Sequence, residues 1–436
     1  MSERLFPGGD ERAKPAQEPR RWGAPRLVRP ERKQTLLQAC DVDSLVDAEH
    51  RVRAVWAFVD ALDVSALYAP IAAVEGHVGR PPIDPKLLLA LWVYATIEGV
   101  GSARELATLC KEHAAYRWLC GGLTPNHRLL ADFRSERGEQ IDALLTQSVA
   151  VLMARGLVKL EQVAQDGMRV RASAGAASFR GKDALKRCLA EAKEQVRRLK
   201  DEIDDDPGAG AKRSSASRER AAKEREAAVK EALRQWEEVA AGRKDQDETK
   251  ARVSTTDPDA RVMRMADGGY RPAYNAQIAC DVKSQVIVGV AVSKSGSDYH
   301  QLAPMLEQVK KRVRKKPGAW LADGGFADLA SVEHAAKKRV ELFAPEMSGV
   351  HRTRRAGEPR EKDSQAVAAW RARMASRRAK RIYVRRGASI ECVNALARNR
   401  GLRALLVRGA EKARSVLALF ALAHNVLRGL TLTPAT

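Results

Sequence analysis

The sequence predicts an α/β domain built on a mixed sheet, preceded by an all-α unit and interrupted by a charged helical insertion. Three observations carry this. Between Val52 and Met153 the apolar residues recur at helical spacing. From Val158 onward, short apolar or alternating runs bounded by turn residues read as strands, and later ones alternate with helical patterns. Between the first strand and the rest, residues 180–245 are dominated by Glu, Lys and Arg.

Residues 1–33 are rich in Pro and Arg without periodic apolar positions, and are expected to form a flexible basic arm. Val55, Phe58, Val59 and Leu62 then mark one helical face, and Leu87, Leu88, Leu91 and Trp92 a second, with Asp84 placed to cap it. Ser102 or Ala103 opens a third helix, Thr124-Pro125-Asn126 precedes a fourth, and Ile141 to Leu152 mark a fifth that ends near Gly156. A helix-turn-helix can be drawn through 102–134 with a turn at Gly121-Gly122 or Thr124-Pro125, against the alternative of plain helical packing. The expected domains are the arm at 1–33, an all-α domain at 34–157, an α/β domain from 158–178 and 253–436, and the insertion at 179–252.

VAQDGMRVRA around Asp166 reads as a strand. In the insertion, sparse apolar positions such as Leu185, Leu189, Val196, Val229, Leu233 and Trp236 fit a helical hairpin or coiled coil, or solvated helices with no partner, equally well. The two segments are separated at Asp205-Asp206-Pro207-Gly208. Strands return at 272–281 and 285–294, followed by a helix at 301–314, a strand at 319–322, a helix at 329–338 and a strand at 340–344. The stretch from Gly349 to Arg386 reads as irregular and basic, and helical spacing resumes at Ile390 and again from Val416 to Leu427.

The net charge is +22, from 77 Lys and Arg against 55 Asp and Glu. Such a surplus repels itself in a compact chain and fits a polyanionic partner, nucleic acid first, or a basic solubilising surface. Residues 351–386 hold 13 basic against 3 acidic side chains. A tract tracking DNA is the favoured reading over a random charged loop. The longest apolar run, Leu87 to Ile97, is short of the ~20 residues of a membrane span. The first residues lack the apolar core of a secretory signal. Six cysteines without CxxC or a nearby His fit a reducing compartment, so a cytoplasmic protein without a membrane partner is expected.

No Gly-x-x-x-x-Gly-Lys-Ser/Thr, Gly-x-Ser-x-Gly or His-Glu-x-x-His is present, which argues against a P-loop motor, a serine hydrolase of that type and a zinc peptidase. What remains is carboxylates on apolar elements. Asp166 lies inside one strand and Asp323 closes another, both before Gly, where a turn is the competing explanation. Asp267-Gly268-Gly269 reads as an ordinary turn, and Asp281 also ends a strand. Glu391 opens a helix, where a favourable dipole interaction is the simple alternative. Three such carboxylates suit Mg²⁺. His127 and His300 have no spaced His or Cys partner and read as packing or DNA-contact residues.

The chain resembles the DDE transposases of bacterial insertion sequences from about Val52 to Leu430. The motifs that carry the resemblance are GRPPIDPKLLLALWVYA, RWLCGGLTPNHRLLADFR, QDGMRVRASA, TTDPDARVMR, YNAQIACD, SDYHQLAPM, LADGGF and RRGASIECVNALARNRGLRALLVRGAEKARSVLALFALAHNVLR. It implies a ribonuclease H-like catalytic domain with Asp166, Asp323 and Glu391 as catalytic and metal-binding carboxylates, and two Mg²⁺ ions for which Mn²⁺ can substitute. Many relatives carry Tyr-x₂-Arg-x₃-Glu-x₆-Lys around the glutamate. Here Tyr383 and Arg386 match, four residues separate Arg386 from Glu391, and Arg398 stands at the lysine position. Relatives often follow the glutamate with His-Pro-Phe, where this chain has Cys392-Val393-Asn394.

The implied function is metal-dependent cleavage at transposon ends, freeing a 3′-hydroxyl that attacks target DNA. The expected partners are double-stranded DNA, as terminal inverted repeats and target, and a second copy of the chain in a homodimeric synaptic complex, nucleoid-associated when bound. Tyr383, Arg385, Arg386, Arg398, Arg377, Arg378 and Arg381 are the expected DNA contacts, since guanidinium groups grip phosphates bidentately. The rival readings are a ribonuclease H-like nuclease that cuts without joining, and an inactive or domesticated transposase that only binds DNA.

Overall fold

The computed structural model describes residues 41–73, 76, 80–205, 211–242, 247–346 and 357–433. The basic arm at 1–33, residues 206–208 between the insertion helices, and residues 351–356 of the basic tract lie outside them.

Among the described residues seven α-helices come first: α1 (Arg51–Asp60), α2 (Ser65–Tyr68), α3 (Pro85–Ile97), α4 (Ala103–Glu112), α5 (Ala114–Cys120), α6 (His127–Glu136) and α7 (Gly138–Ala154). Their starts follow from capping. Asp84 accepts from Lys86 N at 2.8 Å with Pro85 next in line, Ser102 accepts from Glu105 N, and Asn126 accepts from Leu129 N. α3 is apolar on all sides because it is buried on all sides. Arg134 of α6 is itself buried, stacked over Trp92 with its guanidinium donating to Gly101 O.

The described residues then form eight strands, in part from the alternation read above: β1 (Gln162–Arg171), β2 (Phe179–Arg180), β3 (Val253–Ser254), β4 (Arg261–Arg264), β5 (Tyr270–Asp281), β6 (Ile287–Ser293), β7 (Ala319–Leu321) and β8 (Glu341–Phe343). β5 lies antiparallel to β1, and both β6 and β4 pair antiparallel with β5; β7 and then β8 continue in parallel on the other edge of β1. Antiparallel strands followed by parallel ones around β1 is the mixed sheet of the ribonuclease H-like fold. β2 and β3 form a separate ribbon at the base of the insertion. The hairpin of β4 and β5 turns at Asp267-Gly268, so this turn has strand flanks that the sequence did not make plain.

α8 (Lys182–Asp205) and α9 (Ala211–Ala241) pack on each other, which decides the insertion in favour of a helical hairpin. Leu185, Ala232, Trp236 and Ala240 bury a small core of its own with Val253, and Trp236 Nε1 donates to Ala251 O at 3.1 Å. Beyond it come α10 (Leu302–Val313), α11 (Leu329–Lys337), α12 (Gln365–Ala375), α13 (Arg377–Tyr383), α14 (Cys392–Asn399) and α15 (Ala410–Leu432). α12 and α13 correct the expectation of an irregular stretch. Ser364 and Ser376 cap them, and Val367, Trp370 and Ala379 are buried, with Trp370 Nε1 donating to Ala344 O just past β8.

α15 is long and apolar enough, by length and composition, to cross a membrane, but most of it is enclosed within the fold. It packs on α3, α6, α7 and β6, so the N-terminal helices and the sheet share one hydrophobic core. Asn425 takes the place of a neighbouring strand for β6: its Oδ1 accepts from Ile287 N at 2.8 Å and its Nδ2 donates to Ile287 O at 2.9 Å.

Candidate active site

Asp166 sits inside β1, which runs through it without a turn, in the register Asp166↔Ile278 and Gly167↔Gln277. Ala164, Met168 and Val170 share its face and are buried. Gly167 follows for a different reason from a turn. A Cβ there would come within 2.6 Å of Gln277 Nε2 and 2.7 Å of Asn275 Oδ1, and would overlap Asp298 Oδ1.

Those three residues form a buried polar platform on the opposite face of β1. Asp298 accepts from Asn275 Nδ2 at 2.8 Å and Gln277 Nε2 at 2.7 Å, and pairs with Arg169 at 3.2 Å. Gln165 ties the platform to β7 by accepting from Trp320 Nε1 at 3.1 Å. The platform went unrecognised in the sequence as part of the site, although two amides at alternate positions inside an apolar strand signal a paired polar network.

Asp323 follows β7 and caps a single 3₁₀ turn, accepting from Gly325 N at 2.8 Å. Since Leu321 lies beside Ala164 in parallel register, two further residues bring Asp323 alongside Asp166. Glu391 arrives from a different direction. It ends a π-helical turn, Gly387–Glu391, that runs into α14. The helical run has already begun upstream, so Glu391 is no helix N-terminus and the dipole explanation falls away.

Arg386 joins these carboxylates. Its Nη2 lies 3.0 Å from Asp166 Oδ1 and its Nη1 2.7 Å from Glu391 Oε1. The other Asp166 oxygen accepts from Asn394 Nδ2 at 3.0 Å, and Asn394 is buried with its own Oδ1 unpaired. Burial raises the Asp166 pKa above the usual carboxylate range; Arg386 opposes this and the Asp323 charge adds to it. Burial alone would lower the Arg386 pKa, but Asp166, Tyr383, Asp323 and Glu391 outweigh it and hold the guanidinium charged. Tyr383, half-buried beside the same groups, has its pKa raised by burial, with Arg386 opposing and the three carboxylates reinforcing, so it stays a neutral phenol.

Three carboxylates are the hard oxygen donors that Mg²⁺ takes, and half-buried Asp166, its pKa raised despite Arg386, gains from added positive charge. The donor set therefore fits a divalent cation. Among the described residues no three acidic, His or Cys side chains already converge as a metal site, and the cation between Asp166 and Glu391 is the Arg386 guanidinium.

The other expected DNA contacts are scattered. Arg378 pairs with Glu341 at 3.0 Å, and Arg385 donates to Gln162 Oε1 at 3.3 Å. Arg371 is buried in ion pairs with Asp363 and Glu346, which removes part of the tract's charge from the surface. Arg377, Arg381 and Arg398 are exposed, with no acidic partner among the described residues. Asp281 accepts from Leu160 N, Ser284 N and Ser284 Oγ, and so serves a turn, while Asp267 pairs with Arg271 in the β4–β5 turn. His300 is exposed with Nδ1 3.3 Å from Asp328, and His127 is exposed at the start of α6.

A mixed sheet that brings one acidic residue from a strand and another from the end of its neighbour toward a third on a helix is an arrangement suited to phosphoryl transfer. Two family models agree: a transposase domain (DUF772) matches residues 40–136, and a transposase DDE domain matches residues 245–426. The chain belongs to the DDE transposases of insertion sequences and carries out phosphoryl transfer on DNA. The DDE match contains Asp323 and Glu391 and begins past the helices of the insertion, downstream of Asp166, which the sheet returns to their side. No curated protein and no solved structure matches the chain at a significant level.

Proposed function

We propose that Asp166, Asp323 and Glu391 are the catalytic carboxylates of this transposase and hold its divalent metal, Mg²⁺ with Mn²⁺ able to substitute. The observation that carries this is Arg386, which draws a strand carboxylate and a helix carboxylate onto one guanidinium beside Asp323. Mg²⁺, when bound, would polarise the scissile phosphate and stabilise charge on the attacking and leaving oxygens. The residues of the chain do the rest. Asn394 fixes one Asp166 oxygen, Tyr383 offers a neutral hydroxyl as a donor to phosphate, and Arg386 supplies positive charge where the phosphate's negative charge builds.

The substrate in this reading is double-stranded DNA: the terminal inverted repeats, cut to free a 3′-hydroxyl, and the target that this hydroxyl then attacks. A homodimer holds the two ends together, the all-α DNA-binding domain of 34–157 recognises them, and the protein works at the nucleoid. The test is incubation of the purified chain with Mg²⁺, a target plasmid and labelled DNA carrying the ends of the element that encodes it. Cleavage followed by joining is expected. Cleavage with no joining selects a nuclease, and DNA retention with no cleavage selects a binding protein.

A further inference from the structure

Six arginines line one open groove of about 840 Å³ at the far end of β1: Arg169, Arg171, Arg264, Arg271, Arg398 and Arg403. None of the six lies in the basic tract 351–386, and Arg398 alone among them is a DNA contact expected from the sequence. Asp267, paired to Arg271, is the one acid in the lining, and Arg169 is paired to Asp298. Arg171, Arg264, Arg398 and Arg403 are exposed, and none has an acidic partner among the described residues. Four uncompensated guanidinium groups around one hollow repel each other unless an anion sits among them.

The groove lies beyond the carboxylates along two elements, and none of the three carboxylates lines it. On β1, Gly167, Arg169 and Arg171 come after Asp166 on the opposite face of the strand; five residues at about 3.3 Å each place Arg171 roughly 17 Å further along. On α14, Arg398 lies seven residues after Glu391, so two turns at about 1.5 Å per residue put it on the same face roughly 10 Å further on. The two elements meet where Arg171 N donates to Arg403 O and Leu405 N donates to Arg171 O. At about 3.4 Å per base pair, 17 Å corresponds to about five base pairs. No aromatic side chain lines the groove, so it has no platform on which unstacked bases would rest.

We infer that this groove carries the phosphate backbone of duplex DNA, over about five base pairs leading away from the phosphate held at Asp166. The inference rests on the transposase reading and adds the path of the DNA. Its probes are a 40-base-pair duplex of arbitrary sequence and the single strand of the same sequence, titrated against the full chain by fluorescence anisotropy over a salt series. The variant combines Arg171→Ala, Arg264→Ala, Arg398→Ala and Arg403→Ala. The control combines Lys310→Ala, Lys311→Ala, Lys316→Ala and Lys337→Ala, four exposed lysines outside the site.

Each lost phosphate contact lowers the slope of log affinity against log salt by about 0.9, so the arginine variant, four contacts short, should lose about 3.6 units of slope and at least tenfold in duplex affinity. The control should change the slope by less than one unit. Equal slopes for the two variants overturn the inference, as does a wild-type preference for the single strand that the arginine variant abolishes. With labelled end DNA, neutral methylphosphonate linkages within about five base pairs of the cut should weaken wild-type binding and leave the variant unaffected; the same loss in both also overturns it. Wild-type cleavage of the ends is scored separately. Its absence, with duplex binding lost only in the arginine variant, strikes the catalytic reading and spares the groove, whereas intact cleavage with unchanged binding by the variant strikes the groove alone.

Discussion

Arg386 and Glu391 stand five positions apart and still form an ion pair of 2.7 Å, because the turn between them is π-helical. An α-helix brings i and i+4 together; a π turn admits one more residue before the chain returns to the same face. The extra residue that separates this chain from the Tyr-x₂-Arg-x₃-Glu spacing is thus absorbed locally. Both flanks stay anchored: Ala379 is buried upstream, Ile390, Val393 and Ala397 downstream.

Deleting Ala388 tests this directly. Ala388 is exposed, and its removal lets the π turn close to an α turn with Arg386 and the glutamate at i and i+4. The variant is expected to melt within a few degrees of the wild type and to keep cleavage within about tenfold. Deleting Ala395 inside α14 has no such reserve and rotates everything beyond it by about 100°, so it should abolish cleavage. Loss of both activity and fold on deleting Ala388 would show that the π turn is required and not merely accommodated.

Asp166→Asn separates chemistry from folding. The half-buried carboxylate is held above its usual pKa, so a neutral amide of the same shape relieves a cost of desolvation while forfeiting the charge that Arg386 meets. Thermal stability should stay near wild type, duplex binding should persist, and cleavage and joining should both fall by about two to three orders of magnitude or more. Joining at the wild-type rate would remove Asp166 from the catalytic set.

Gly167→Ala acts through packing. Its methyl group would be driven into Asn275, Gln277 and Asp298, which are buried and bonded to one another and have little room to yield. A cost of about 2–4 kcal/mol is expected, as overpacking is joined by loss of buried hydrogen bonds. A thermal melt reads the cost, and a midpoint unchanged from wild type would mean that the platform moves more freely than its bonding implies.

The strands that carry Asp166 and Asp323 were legible because each is an apolar run that buries both faces or alternates cleanly, and such runs announce themselves locally. β4 was not, since its residues Arg261–Arg264 are half basic and its pairing depends on β5 across a turn. α12 and α13 were hidden by Arg371 and Arg378, whose acidic partners, Glu346 and Asp363 for the first and Glu341 for the second, lie outside the two helices. The same limit applies to Arg386. Its charge suggested a phosphate contact, whereas its two carboxylate partners are 220 and 5 positions away and only the fold reveals the distant one. Charge counting located basic sequence; it did not tell which guanidinium groups are already spent on carboxylates.

His424 on α15 gives the fold a pH dependence independent of the catalytic groups. Its buried ring donates from Nε2 to Gln285 O at 2.9 Å and leaves Nδ1 without a partner, so it is neutral in the native state. Burial pushes its pKa down to about 4 from the model-peptide value near 6.5, with Arg400 and Arg428 adding to the effect. Above about pH 6.5 neither state is protonated and nothing is lost. Between about 6.5 and 4 the unfolded chain takes a proton that the native ring refuses, so stability falls as the pH falls, by about 3 kcal/mol over the whole interval. Below about pH 4 both states are protonated and this contribution levels off. Urea unfolding of wild type and His424→Gln between pH 7.5 and 5 measures the difference, since the variant keeps a neutral donor there and has no proton to take up. The wild type should lose more stability over that range, by about 2 kcal/mol; parallel curves would place the titration of His424 elsewhere.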